Sequence, residues 1–445
     1  MIDGVRILLV STYELGRQPF GVASAAAWLR ARGHAVSAAD VSVAGLPLEA
    51  VRAADLVAFS LPMHTATRLA ARIIPRVRAL NPRARLCCFG LYAPLNEAYL
   101  RGQGVEIILG GEFEQPLAES VENGAETPRS TVSTGRQQFL VPDRDGLPPL
   151  AQYAHLHVNG GTRRAGYTEA SRGCKHWCRH CPVVPVYRGR FRVVQREIVL
   201  EDIRRQAAVG ARHVTFGDPD FFNAPTHALR IVRAMHEEHP AVTYDVTIKV
   251  EHLLRSREHL PILRETGCLF VTTAAESLED DVLARLEKRH TRRDFMNAVS
   301  ASRQAGLMLA PTFIPFTPWT TRSGYRDLLG ALVDLDLVDQ VSPVQLGLRL
   351  LITAGSRLLE LPEIQAAAGD FDDAALVYPW RHTDPGLDEL SAEVLKLVSA
   401  EQKKRTPRRD IFARVWRLAC SDRLPDNFDL MPRATVPYLD EPWYC

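Results

Sequence analysis

Ser171-Arg-Gly-Cys174-Lys-His-Trp-Cys178-Arg-His-Cys181-Pro182 is the stretch from which the rest of the chain is read. Its C-x3-C-x2-C spacing brings three thiolates to one iron-sulfur cluster, whereas protein-bound 4Fe-4S clusters usually take four cysteines. One iron is then left open for chemistry, as the fourth position is in a catalytic zinc site. The same cysteines also lie at i, i+4 and i+7, the stripe of a helix. Against a helix stand Gly173 before the first cysteine, Pro182 after the last, and an interior of Lys175, His176, Arg179 and His180, which reads as a polar loop. The other competitor is a structural Cys3His zinc site with His176 or His180 as fourth ligand. Such sites commonly divide their ligands between two separated pairs, and these would be packed more tightly.

Upstream of the loop, strand and helix signals alternate. Val5–Val10, Asp55–Ser60, Arg85–Gly90 and Val105–Leu109 are short apolar runs, and helical segments are expected over 21–32 and 65–80. Such alternation predicts a parallel, doubly wound Rossmann-like sheet, whose ligands sit beyond the strand C-terminal ends. From about Asn123 to Tyr167 the pattern gives way to turn chemistry such as Pro142-Asp-Arg-Asp-Gly and Leu147-Pro-Pro-Leu150. Downstream a second alternating series begins. Strands are expected at 165–170, 212–216, 242–248, 268–272, 308–314 and 344–350, with helices at 201–210, 226–238, 258–265, 280–287 and 293–306. Repeats of this length predict a partial or full (β/α) barrel with its active site at the strand C-terminal ends, where the cysteine loop falls. The expected division is a Rossmann-like unit over 1–122, a linker over 123–164, a barrel over 165–365 and an α-rich extension over 366–445.

At 445 residues the chain has room for several cores, and its formal net charge of +2 gives no reason to expect a polyanionic partner. The N-terminus runs directly into a strand signal and no apolar stretch reaches membrane length, so the expected setting is the cytoplasm, without a membrane. There the eight cysteines are expected to be free, metal-bound or catalytic, with Cys87 and Cys88 as core thiols.

The cysteine loop followed by βα repeats resembles the radical SAM superfamily. The resemblance implies a 4Fe-4S cluster held by Cys174, Cys178 and Cys181, with S-adenosylmethionine (SAM) chelating the open iron. Phe216-Gly-Asp218-Pro-Asp220-Phe-Phe is similar to the family segment near the methionine end of SAM, and Glu276-Ser277 to the segment that contacts its ribose side. Lys249, Glu251, His252 and Arg349 are further candidate contacts. Pro315-Phe-Thr-Pro-Trp-Thr320 stands where many relatives have a glycine-containing turn. The N-terminal part, closing on Gly110-Gly-Glu-Phe-Glu114, resembles the cobalamin-binding half of the B12-dependent branch. It lacks the Asp-x-His-x-x-Gly motif, and neither His34 nor His64 stands in that context. The expectation is a corrin bound without that histidine; the competing reading is a domain that holds none.

From Ser171 onward the chain also resembles radical SAM proteins ending in Cys-Sec-Ala-Glu-Pro or Cys-Cys-Ala-Glu-Pro (the CUAEP/CCAEP group). Val436-Pro-Tyr-Leu-Asp-Glu-Pro-Trp-Tyr-Cys445 matches the approach to that tail, so Cys445 is a candidate catalytic thiol. A selenocysteine codon read as a stop would end the sequence there. The activity implied is reductive SAM cleavage in a transferase, with methylcobalamin delivering a methyl group to a small molecule or peptide. An external one-electron donor such as flavodoxin or ferredoxin is implied as well. The alternative is 3-amino-3-carboxypropyl or other radical transfer without cobalamin, to a soft element such as arsenic. A third reading, an iron-sulfur or zinc regulator binding nucleic acid through Lys403–Arg409, Arg414 and Arg417, leaves the Glu276 segment without a purpose.

Overall fold

The computed structural model describes residues 4–122, 132–158, 160–420, 423–425, 428 and 437–440. Two sheets organise the chain. In the first, β1 (Arg6–Ser11), β2 (Ala35–Asp40), β3 (Leu56–Ser60), β4 (Arg85–Phe89), β5 (Ile107–Gly111) and β6 (Val132–Ser133) lie in the order β2-β1-β3-β4-β5-β6. All its pairings are parallel. The four strands β1, β3, β4 and β5 are buried on both faces, as a sheet covered by helices on each side requires. Leu8, Val10, Val57 and Phe59 pack toward helix His64–Leu80; Ile7, Leu9, Ala58 and Phe89 pack toward helix Phe20–Ala31. Strand β2, with the sequence AVSAAD, carries little strand propensity of its own. It is held by a six-residue parallel register with β1, from Arg6 opposite Ala35 to Ser11 opposite Asp40.

The second sheet comprises β7 (His155–Val158), β8 (Gly161–Thr168), β11 (His213–Phe216), β12 (Thr243–Thr247), β13 (Cys268–Glu276), β14 (Met308–Phe313) and β15 (Tyr438–Leu439). Its order is β14-β13-β12-β11-β8-β7-β15, an open partial barrel. The five strands β8 and β11 to β14 are parallel; β7 and β15 add antiparallel at one edge. A two-stranded ribbon of β9 (Ser171–Gly173) and β10 (Phe191–Val193) brackets the cysteine loop.

Three expectations are corrected. The stretch 123–164 is not only linker: its described residues supply β6 to the first sheet and β7 to the second, because each sheet has an edge that accepts backbone pairing. Residues 344–350 form no strand: Pro343 opens a 3-10 turn over Pro343–Leu346, and Arg349 alone bridges to Phe316. A short apolar run does not by itself distinguish these outcomes. In the C-terminal part, helices Pro385–Lys403 and Arg408–Ala419 place Leu387, Val394, Ile411 and Phe412 in the barrel's own core. Among the described residues no helix is long and apolar enough to cross a membrane.

Candidate functional site

The cysteine loop leaves the C-terminal end of β9 as irregular chain, not as a helix, until the short helix Val183–Tyr187. Gly173 has φ +73°, and a Cβ there would lie 2.4 Å from Tyr187 Cδ1, so both the turn and the packing demand glycine. Asp218 braces the strand from below: Ser171 Oγ donates to its Oδ1 at 2.5 Å and the Ala170 amide to its Oδ2 at 2.9 Å.

Cys174 and Cys178 are buried and Cys181 partly so; all three are free thiols. Burial, and then the neighbouring Cys178 and Cys174, push the Cys181 thiol up to about 12. Burial likewise raises the Cys174 thiol, and thiols held protonated in this way suit an iron core, because metal binding replaces the protons. Two buried lysines add to the fit. Lys249 Nζ lies 3.7 Å from Cys178 Sγ, and Lys288 feels both Cys178 and Cys181. The arginines of the loop region are engaged elsewhere: Arg179 pairs with Glu287 at 2.8 Å, and Arg172 points toward the first sheet. The positive charge facing the thiols therefore comes from β12 and β13 connections and not from the loop itself.

Glu276 ends β13 with φ +65°, a left-handed conformation unusual for a residue with a side chain, beside a register shift against β14. The bulge aims its carboxylate at the cysteine loop. Lys288 Nζ donates to Oε1 at 3.1 Å, and His180 Nε2 lies 3.1 Å from the same atom. Burial opposes its ionisation, but Lys288 and then His180 hold the carboxyl well below the usual carboxylate range. Ser277 is turned into its own chain and accepts from the Glu279 amide at 3.0 Å.

Asp220 is fully buried, with Oδ1 accepting from the Phe222 amide at 3.2 Å and Oδ2 facing His252 and His176. The structure thus brings Cys174, Cys178, Cys181, Asp220, Lys249 and Glu276 to one end of the barrel, with Asp218 beneath them. Arg349 is not part of this group: it pairs with Asp388 at 2.6 Å and stacks over Trp380. In the basic C-terminal run, Lys404 and Arg414 pair with Glu401 and Arg409 with Asp339. Cys445 lies outside the described residues.

Between the strand ends of the first sheet and β8–β9 lies a cleft of about 930 Å³ counted out to its open mouth. Glu14, Arg17, Met63 and Phe113 line it from one side, Tyr167, Glu169 and Arg172 from the other. Among the described residues no histidine lines it, and His64 is turned to the Ala375 carbonyl at 2.8 Å. Arg172 ties the two sheets together. It pairs with Glu114 at 2.6 Å, Glu169 at 2.6 Å and Glu112 at 3.4 Å, and sits over the rings of Phe20, Phe113 and Phe139. One guanidinium does not neutralise the acids gathered here. Burial, then Glu169, pushes Glu14 up to about 8; burial raises Glu112 to about 7 although Arg172 opposes it. Glu14 and Lys288 carry no motif of their own, and the sequence offered no signal for either role.

Residues 168–320 match the family model of the radical SAM superfamily. The hopanoid C-3 methylase of Methylococcus capsulatus is 25% identical over 179 residues, 40% of this chain and 33% of that protein. A threonylcarbamoyladenosine tRNA methylthiotransferase, MtaB of Thermotoga maritima, is 19% identical over 241 residues, 52% of each. The chain thus spans a third to a half of the length of these curated relatives. Among solved structures, the radical SAM methyltransferase TsrM of Kitasatospora setae, with tryptophan and a SAM analogue bound, superposes with a TM-score of 0.65 at 18% identity, covering 81% of this chain and 77% of that one. The cobalamin-dependent radical SAM enzyme OxsB with aqua-cobalamin bound gives 0.68 at 13% identity, covering 90% and 67%. At such identities the likeness is one of fold, and it spans both sheets. Residues 168–320, with their three-thiol loop at the mouth of a partial barrel, are thus the part of the chain that matches the radical SAM superfamily.

Proposed function

We propose that the protein is a cobalamin-assisted radical SAM methyltransferase acting on a small molecule or peptide. The observation that carries this reading is the cleft itself. It joins the strand ends of a Rossmann-like sheet, where ligands of such sheets sit, to the strand that carries the cysteine loop. When bound, the cluster and SAM supply one-electron reductive cleavage of a carbon–sulfur bond, and a corrin supplies a methyl carrier.

The chain's own residues then have separate duties. Cys174, Cys178 and Cys181 hold the cluster, and Lys249 and Lys288 place positive charge beside its thiolates. Glu276, kept ionised by Lys288 and His180, is a fixed acceptor for hydroxyl or ammonium donors of SAM. Met63, Phe113 and Tyr167 offer apolar surface to a corrin, and a protonated Glu14 offers a hydrogen-bond donor to its amide groups. With no histidine among the described residues of the cleft wall, a corrin there would be held without a protein imidazole.

The test is product identity. Anaerobically reconstituted protein given SAM, a reductant and hydroxocobalamin is expected to release 5'-deoxyadenosine and S-adenosylhomocysteine. Methylthioadenosine in their place would signify 3-amino-3-carboxypropyl transfer and overturn the proposal.

A further inference from the structure

Beside the cysteine loop, four side chains from three different segments converge. His176 comes from the loop, Asp220 from the turn after β11, and Glu251 and His252 from the helix after β12. His252 Nδ1 lies 2.6 Å from Asp220 Oδ2, His176 Nε2 lies 3.5 Å from that same oxygen, and His176 Nδ1 lies 3.6 Å from Glu251 Oε2. The two imidazole rings are 4.8 Å apart at 55°. His176 is 5%, His252 1% and Asp220 0% exposed, so bulk solvent does not complete their bonding.

The proton inventory does not close. His176 Nε2, His252 Nδ1 and Nε2, Asp220 Oδ2 and Glu251 Oε2 are all buried, and despite these short separations none has a partner at hydrogen-bond geometry. Buried polar atoms are ordinarily satisfied, and five orphans in one cluster ask for a missing partner. A neutral imidazole carries a single N–H, yet His176 meets a carboxylate at each ring nitrogen. A cation on Nε2 resolves this. The remaining Nδ1–H then faces Glu251 Oε2, 3.6 Å away, the side from which a carboxylate orients a metal-bound histidine. The other atoms of both carboxylates are already anchored, Asp220 Oδ1 by the Phe222 amide and Glu251 Oε1 by Arg255 at 3.1 Å. The two orphaned oxygens are thereby held facing inward.

We infer that His176, Asp220 and His252 form a mononuclear site for a divalent transition metal of the zinc type, with Glu251 orienting His176. Two imidazoles and one carboxylate are a common donor set for such ions, whose ligand atoms stand about 3.3 Å apart in a tetrahedral site; His176 Nε2 is 3.5 Å from Asp220 Oδ2, and His252 Nδ1 is closer at 2.6 Å and would open out on binding. Cys174 Sγ lies within 4.8 Å of the His176 and Asp220 ligand atoms, so the ion would be a near neighbour of the cluster cysteines while using none of them. The site is distinct from a Cys3His arrangement, because its donors are nitrogen and oxygen.

The experiment uses the full-length, tag-free protein, reconstituted anaerobically with iron and sulfide, offered excess zinc and desalted. Elemental analysis is expected to give about one zinc per chain beside the cluster iron, with a zinc-edge absorption shell of nitrogen and oxygen at about 2.0–2.1 Å. His252→Ala and the near-isosteric Asp220→Asn are each expected to lower zinc at least tenfold while iron per chain is kept. Zinc below about a tenth of an equivalent, a sulfur shell at about 2.3 Å, or zinc unchanged in Asp220→Asn would overturn the inference. The first of these outcomes would make His176 a doubly protonated bridge between two carboxylates.

Discussion

Glu276 and Glu14 are both buried glutamates, and they are driven in opposite directions. Glu276 stands against the cysteine loop with Lys288 and His180 each 3.1 Å from one oxygen, and its carboxyl is held well below the usual range. Glu14, on the wall of the cleft, has burial against it and Glu169 and Asp40 as further carboxyl neighbours, and it rises to about 8. Glu112 and Asp218, near the same boundary, each rise to about 7, with burial as the leading cause. One side of the molecule therefore keeps a permanent negative charge beside two lysines and three thiols. The other gathers carboxyl groups that burial pushes toward the neutral form, Glu14 furthest, beside the guanidinium that Glu112, Glu114 and Glu169 share. The first arrangement suits a charged cofactor, the second a large uncharged, amide-rich one, which is the division of labour proposed above.

Four substitutions break or sharpen this contrast. The largest effect is expected from Cys178→Ala, which removes a cluster thiolate: iron content and SAM cleavage fall to background, while ligand binding in the cleft, read by fluorescence quenching, is unchanged. Next is Arg172→Met, which strips the only guanidinium shared by Glu112, Glu114 and Glu169. Leaving buried charges unpaired costs about 3–5 kcal/mol, measured as a loss of stability in urea. Glu276→Gln leaves Lys288 buried without its carboxylate, and a loss in the lower part of that same range is expected, together with weaker SAM binding.

The smallest effect is expected from Glu14→Gln, and its signature is in pH. A glutamate with an ordinary value near 4.5 when unfolded and about 8 when folded keeps its proton only in the native state between those limits. Stability therefore falls as pH rises through that window, and Gln at position 14 should flatten the decline. Glu276 runs the other way. Its stabilisation is present above the ordinary carboxylate range and is lost as pH falls toward its depressed folded value. Urea midpoints from pH 5 to pH 8.5 check the first of these; an unaltered slope in Glu14→Gln would mean that the cleft acids are ionised.

Much of this was legible in the chain. Strands β1, β3 and β4 announce themselves through branched and aromatic runs, and the polar interior of the cysteine loop argued against a helix. Strand β2 was not legible, because AVSAAD has no strand signal and exists only through its pairing with β1. The Glu276 segment was visible, but not its left-handed backbone or its link to Lys288, which follows twelve residues later after a helix. Arg172 stands two residues before the first cysteine with no sign of its partners; its three carboxylates come from 58 and 60 residues upstream and from three residues before it, and only the packing of the two sheets collects them. Long-range ion clusters of this kind leave no periodic trace.

The central claim is that one chain holds a SAM-cleaving cluster on one side and a corrin on the other. The most direct measurement is the absorbance spectrum of protein reconstituted anaerobically with iron, sulfide and hydroxocobalamin and then desalted. Cluster and corrin bands retained together, with the cluster bands alone lost in Cys178→Ala, is the predicted result. A cluster spectrum without corrin bands would contradict it.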